Sequence, residues 1–125
     1  MARYNYSATI INNTEKTLIF AYYCKGTDDN PSGEGTVHGN LYHGEIVTGP
    51  TFQIPPNREG SFTAKSTGST IQGTVVYKAE GWDDIWIYFH VPDLGTRHDE
   101  SAGVAITIND DSKHAIATYL LSTPT

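Results

Sequence analysis

Ile85-Trp86-Ile87-Tyr88-Phe89-His90-Val91 alternates without a break, and that alternation decides the fold. Successive side chains of an extended strand point to opposite faces, so Ile85, Ile87, Phe89 and Val91 share one face and Trp86, Tyr88 and His90 the other. The first set is wholly apolar and belongs in a core. The second is aromatic but polar-tipped, which suits either a half-covered outer face or part of a binding surface.

Outward from this stretch, runs of branched and aromatic residues recur about every ten residues, separated by Gly, Pro, Asn and Asp clusters, as in sandwiches and barrels. Strands are expected near 3–11, 17–25, 35–47, 50–54, 60–66, 70–79, 84–91, 102–109 and 113–121, and no window carries a helical stripe. Ile (11), Val (6) and Thr (16) far outnumber Leu (5) and Met (1), a composition that favours the pleated surface over the helix. Val104, Ile106 and Ile108 extend the expected core, as do Tyr4, Tyr6, Ala8 and Ile10. At 125 residues the chain has the size of one domain. The expectation is therefore an all-β fold: a single antiparallel two-sheet β-sandwich of about eight or nine strands over residues 1–125.

The links carry turn chemistry. Asn12-Asn13-Thr14-Glu15 and Asn109-Asp110-Asp111-Ser112 have side chains that bond their own backbone, and each is expected to close a hairpin. Asp28-Asp29-Asn30-Pro31-Ser32-Gly33 is the longest polar stretch and is expected to be a mobile loop. Ile54-Pro55-Pro56-Asn57-Arg58-Glu59-Gly60 reads as a stiff link, because proline removes a ladder donor.

A net charge of −6, with only eight Lys and Arg, argues against nucleic acid, which needs cations to neutralise phosphates. It argues equally against anionic lipid as the main attractant. A membrane target is expected to be zwitterionic lipid, glycan or protein. Cys24 is the single cysteine, which excludes an internal disulfide and reads as a small buried hydrophobe rather than a reactive thiol. There is no leader-like or membrane-spanning run, so the chain is expected to be cytosolic, released without a leader, or mature as given. The sequons at Asn5 and Asn12 read as chance occurrences.

Five His, at 38, 43, 90, 98 and 114, match no metal-ligand spacing, and no metal or other cofactor is expected. The acidic doublets Asp28-Asp29, Asp83-Asp84, Asp99-Glu100 and Asp110-Asp111 fit no EF-hand and read as solvated turns. No nucleophile elbow exists, and the cluster Arg97-His98-Asp99-Glu100-Ser101 reads as a polar loop. Paired carboxylates for glycoside cleavage stay open, since their separation is a three-dimensional property. No enzyme is expected.

Aromatic residues, 11% of the chain, are the most informative remainder. Trp82, between Gly81 and Asp83, is expected at a hairpin tip, where it either folds back on the sheet or meets a lipid interface or sugar ring. Tyr22, Tyr23 and Tyr42 raise the same question, and alternation sends one of Tyr22 and Tyr23 outward.

The succession Ser61-Phe62-Thr63-Ala64, Gly73-Thr74-Val75-Val76-Tyr77 and Ile85-Trp86-Ile87-Tyr88-Phe89-His90-Val91-Pro92 resembles the aegerolysin family. It is most similar to the small component of binary insecticidal proteins, with a Phe-x-Ala, a Gly-Thr-x-x-Tyr and an Ile-x-x-Tyr-Phe-x-x-Pro strand in turn. Ile10-Ile11-Asn12-Asn13-Thr14 resembles that family's opening strand. Ile85 to Pro92 is also similar to a strand of actinoporins, whose N-terminal amphipathic helix has no counterpart here, since strand signals begin by Tyr4. Many aegerolysins follow the aromatic strand with Trp-Asp-Cys-Pro-Trp, where this chain has His90-Val91-Pro92-Asp93-Leu94.

The resemblance implies recognition of a membrane lipid or cell-surface receptor, with a larger partner protein for pore formation and cytolysis. Trp82, Trp86, Tyr88, Tyr22, Tyr23 and Tyr42 are the candidate membrane- or ligand-binding residues, inserting shallowly into the interface. The alternative is a carbohydrate-binding, lectin-like module in which Trp or Tyr stacks on a ring. A third class is an interaction protein with a self-association patch.

Overall fold

The computed structural model describes residues 4–68, 70–91, 103–111 and 114–123, with side chains at all of these except 108, 110 and 111. The described residues form nine strands: β1 (Tyr4–Asn13), β2 (Leu18–Cys24), β3 (Glu45–Thr48), β4 (Gln53–Ile54), β5 (Glu59–Ser66), β6 (Ile71–Lys78), β7 (Ile85–Val91), β8 (Val104–Asp111) and β9 (His114–Ser122). They hold no helix. One sheet runs β3-β5-β1-β9-β8 and the other β4-β2-β6-β7. Both contribute to one apolar core, an arrangement consistent with a β-sandwich.

The core is built as the alternation requires. Ile85, Ile87, Phe89 and Val91 are all buried, and Tyr4, Tyr6, Ala8 and Ile10 face them from β1. Phe89 touches Tyr6 and Phe62 at ring-centroid distances of 5.2 and 5.6 Å, which joins the two sheets through aromatic contact. The Tyr6 and Tyr119 hydroxyls hydrogen-bond to each other, so burying both polar tips leaves neither unsatisfied. Val104 and Ile106 are partly buried against the core, while the expected core side chain of Ile108 lies outside the described residues.

Four expectations are corrected. The sheets are not purely antiparallel: β1 and β9 pair in parallel from Asn5↔His114 to Asn13↔Ser122. A parallel pair needs a long crossover, and here nearly the whole chain lies between the two strands. No strand covers 35–44, because Gly35, Gly39 and Gly44 take φ of 83°, 90° and 90°, which breaks a ladder; only Glu45–Thr48 remains.

The Asn12 link is not a hairpin, since β1 and β2 lie in different sheets. Asn12 is buried: its Nδ2 donates to Lys16 O (2.7 Å) and Ile54 O (2.9 Å), and its Oδ1 accepts from Thr14 N and Oγ1. These bonds turn the chain from one sheet to the other. The fourth correction, to the expected mobile loop at 28–33, follows from the site.

The link before β9 does join an antiparallel pair, with Asp111 opposite His114. The cluster at 97–101 lies outside the described residues.

Candidate functional site

Strand β6 is buried on both faces from Ile71 to Tyr77, although only one face meets the core. The other is covered by residues 25–44, a strap between β2 and β3. Gly39 N donates to Tyr23 O (2.7 Å), and His43 and Gln72 exchange backbone bonds at 3.0 Å, so the second half of the strap is tied to the sheet through its backbone.

Its middle is tied by side chains. Thr74 Oγ1 donates to Pro31 O at 2.5 Å, and Cys24 Sγ lies 3.6 Å from Ser32 O. The Tyr88 hydroxyl donates to Asp28, and His90 Nδ1 stands 3.3 Å from the same carboxylate. Gln72 Nε2 donates to the Tyr88 oxygen at 2.8 Å. Close approach needs glycine: a Cβ on Gly26 would meet Thr74 Oγ1 at 1.8 Å, and one on Gly33 would meet Cys24 Sγ at 2.3 Å. The polar stretch expected to move freely is therefore pinned, because Pro31 O and Asp28 accept from the buried hydroxyls of Thr74 and Tyr88.

The strap stops short of one corner of the sheet and leaves a cleft of about 280 Å³ there. Tyr22 on β2 pairs with Val76 on β6, which pairs with Trp86 on β7. Val76 is thus the floor between two aromatic side chains. The strap supplies the opposite wall with Ser32, Gly33, Glu34, Gly35 and His38. The His38 ring stacks on Tyr22 with centroids 3.6 Å apart and planes within 7°.

Asp84 closes the rim, 2.5 Å from Lys78 Nζ. Burial, then the nearby Asp84 carboxylate and the Cys24 thiol, raise the Tyr22 phenol above its ordinary value against a lowering by Lys78, so it stays a neutral donor. Burial likewise raises the Cys24 thiol. Such a thiol is a poor nucleophile.

The six candidates separate. Tyr22 and Trp86 meet in the cleft. Tyr23 faces inward, packed against the core and stacked on Phe20, so alternation does send one of the two outward. A β-bulge between Phe20 and Tyr22 puts Phe20 and Tyr23 on the same side.

Tyr88 belongs to the outer face but lies under the strap, 2% exposed. Its ring is not available to a membrane. Trp82 folds back: its side chain packs against the core with Lys16 Nζ 5.6 Å from its ring centre, and its backbone amide donates to Ala79 O (3.1 Å). Tyr42 is half exposed on the strap, edge-on to His43.

His38, weighed only as a metal ligand, Asp84, assigned to a solvated turn, and Glu34, not singled out from the sequence, are all cleft residues. Their signal was the glycine-rich run 33–39, which lets a strap lie close to a sheet. No group of three or more His, Cys, Asp or Glu side chains is placed to hold a metal ion among the described residues. No helix among them is long and apolar enough to cross a membrane. Compared with protein-family models and with curated proteins, the chain matches none.

Proposed function

We propose that this chain is a non-enzymatic membrane-recognition protein that reads the cationic end of a zwitterionic lipid headgroup in the Tyr22–His38–Trp86 cleft. The cleft itself carries this reading. Ring faces attract an alkylammonium group through their quadrupoles, and Glu34 adds negative charge at the wall, while Asp84 at the rim is already paired with Lys78. An overall charge of −6 turns the protein away from anionic bilayers and leaves zwitterionic ones accessible. Val37 and Tyr42, exposed on the strap that walls the cleft, supply apolar contact for shallow insertion.

The further step, a smaller component of a two-part, possibly insecticidal, pore-forming toxin with a larger partner protein, is supported by the motif order along β5, β6 and β7.

Vesicle co-sedimentation tests the lipid reading. Phosphatidylcholine and sphingomyelin vesicles should bind, phosphatidylglycerol vesicles should not, and free phosphocholine should compete. A cation–π contact of about 0.5–2 kcal/mol predicts roughly 2- to 30-fold weaker binding for Trp86→Ala. Binding to no vesicle, or binding unchanged in both Trp86→Ala and Tyr22→Ala, rejects the reading.

One observation favours a second, sugar-binding reading: two stacked rings beside carboxylates also suit a pyranose, with its apolar face and hydroxyl edge. A glycan array separates the two, because a headgroup reader leaves it blank.

A further inference from the structure

Along the outer face of β6, alternate residues meet three different surroundings. Thr74 lies under the strap, bonded to Pro31 O, Val76 floors the cleft, and Lys78 stands in the open with its side chain 56% exposed. Neighbours on one face of a strand are ~6.6 Å apart, so Lys78 begins one such step beyond the row of Tyr22, Val76 and Trp86. Along the strand, the cleft is therefore shut at the strapped end and open at the Lys78 end. The face stays open further on, because Ile19, opposite Lys78 on β2, lines a second hollow of about 350 Å³ with Gln53.

Lys78 also bears on the cleft directly. Its Nζ donates to Asp84, which is itself a lining residue. Burial dominates the upward shift of the Tyr22 phenol and the Lys78 charge opposes it, so the ammonium and the cleft phenol are electrostatic neighbours.

We propose that Lys78 is the phosphate-reading residue of the headgroup site, so that the cleft recognises an alkylammonium phosphate ester as a unit and in one orientation. This rests on the cation-binding reading of the cleft. The ammonium is the tip of such a headgroup, and the phosphate lies an ethylene bridge behind it, toward the lipid. With the tip against the two rings, the phosphate emerges at the open end, where Lys78 stands. A lysine ammonium carries three donors, and Asp84 takes one of them. The rim pair is then the headgroup's electrostatic complement, Lys78 beside the phosphate and Asp84 beside the ammonium. A protein of net charge −6 thus meets the phosphate with a cation at the one point where it arrives.

Titration of isotope-labelled protein with choline, inorganic phosphate and phosphocholine, followed by NMR at low salt, tests this. Phosphocholine should bind roughly 2- to 5-fold more tightly than choline, the range of an exposed charge pair, and inorganic phosphate more weakly than either. Lys78→Gln should bring choline and phosphocholine level. Lys78→Arg should keep the gap, and so should Lys65→Gln, which removes a cation from the other sheet. A ratio read within each variant is insensitive to a general loss of folded protein. Equal affinities for choline and phosphocholine in the wild type overturn this inference alone, as does a gap that survives Lys78→Gln or vanishes in Lys65→Gln. Inorganic phosphate that binds as tightly as phosphocholine overturns it too, since an anion site without orientation needs no ammonium. If neither choline nor phosphocholine binds, the headgroup reading itself fails and this inference falls with it.

Discussion

The Tyr88 hydroxyl donates to the Asp28 carboxylate across 60 positions of sequence. That contact joins the aromatic strand to the polar strap. The same oxygen accepts from Gln72, so one phenol connects β6, β7 and the strap. Losing it should loosen the strap without opening the core, because Tyr88 lies on the face of β7 away from Phe89.

Tyr88→Phe removes both bonds and leaves Gln72 with a buried, unmatched amide. A cost of about 1–3 kcal/mol is expected. Amide exchange over 25–44 should accelerate while exchange in β1 and β9 does not. Uniform acceleration across the protein would mean that the strap and the sheets open as one unit.

Asn12→Ala should destabilise more than its size suggests. The methyl replaces a side chain that serves Lys16 O, Ile54 O and Thr14, removing one donor from each carbonyl and the acceptor of the Thr14 N–H, while the Thr14 hydroxyl still reaches Lys16 O. About 2–4 kcal/mol is expected from the loss of several such bonds. Chemical denaturation measures it; a change below about 0.5 kcal/mol, the usual range for surface sites, contradicts the account.

The two tryptophans should respond oppositely. Trp82→Ala is expected to lower the melting temperature and leave vesicle binding intact, because its ring packs on the core beneath Lys16. Trp86→Ala is expected to weaken binding with a smaller effect on melting. Paired melts and co-sedimentation read both; loss of binding in Trp82→Ala alone would move the contact to the hairpin tip.

Alkaline pH should destabilise the fold through Tyr77. Burial pushes its phenol well above the ordinary value of 10, and the hydroxyl donates to Thr51 O at 2.6 Å. The folded state therefore holds this proton more tightly than the unfolded chain. Stability from this group is complete below pH 10 and falls as pH rises beyond it, by up to about 1.4 kcal/mol per pH unit. Tyr22, raised from 10.0, and Cys24, raised from 9.0, act in the same direction, with Cys24 beginning near pH 9. Urea titrations from pH 8 to 11 should show the decline, and Tyr77→Phe should flatten it above pH 10 while lowering stability at pH 8.

Much of this was legible in the chain itself. Strand positions near 60–66, 70–79 and 84–91 match β5, β6 and β7 closely, because alternation is a local property that each strand carries alone. The inward set Ile85, Ile87, Phe89 and Val91 followed from the same rule, as did the split between Tyr22 and Tyr23. The candidate site was legible only in part. Trp86 could be named as an outward aromatic and one of Tyr22 and Tyr23 as another, yet nothing local joins Tyr22 to Trp86, since they flank Val76 across three strands.

Sequence alone determined the β-class and the period-two faces, because composition and alternation act within a few residues. Tertiary structure alone decided which outward aromatics stay accessible. Tyr88, Tyr22 and Trp86 are equivalent by alternation, and only the strap separates them, covering Tyr88 through Asp28 and stopping short of the other two. The parallel pairing of β1 with β9 was likewise out of reach, because joining the two ends of a chain depends on every fold between them.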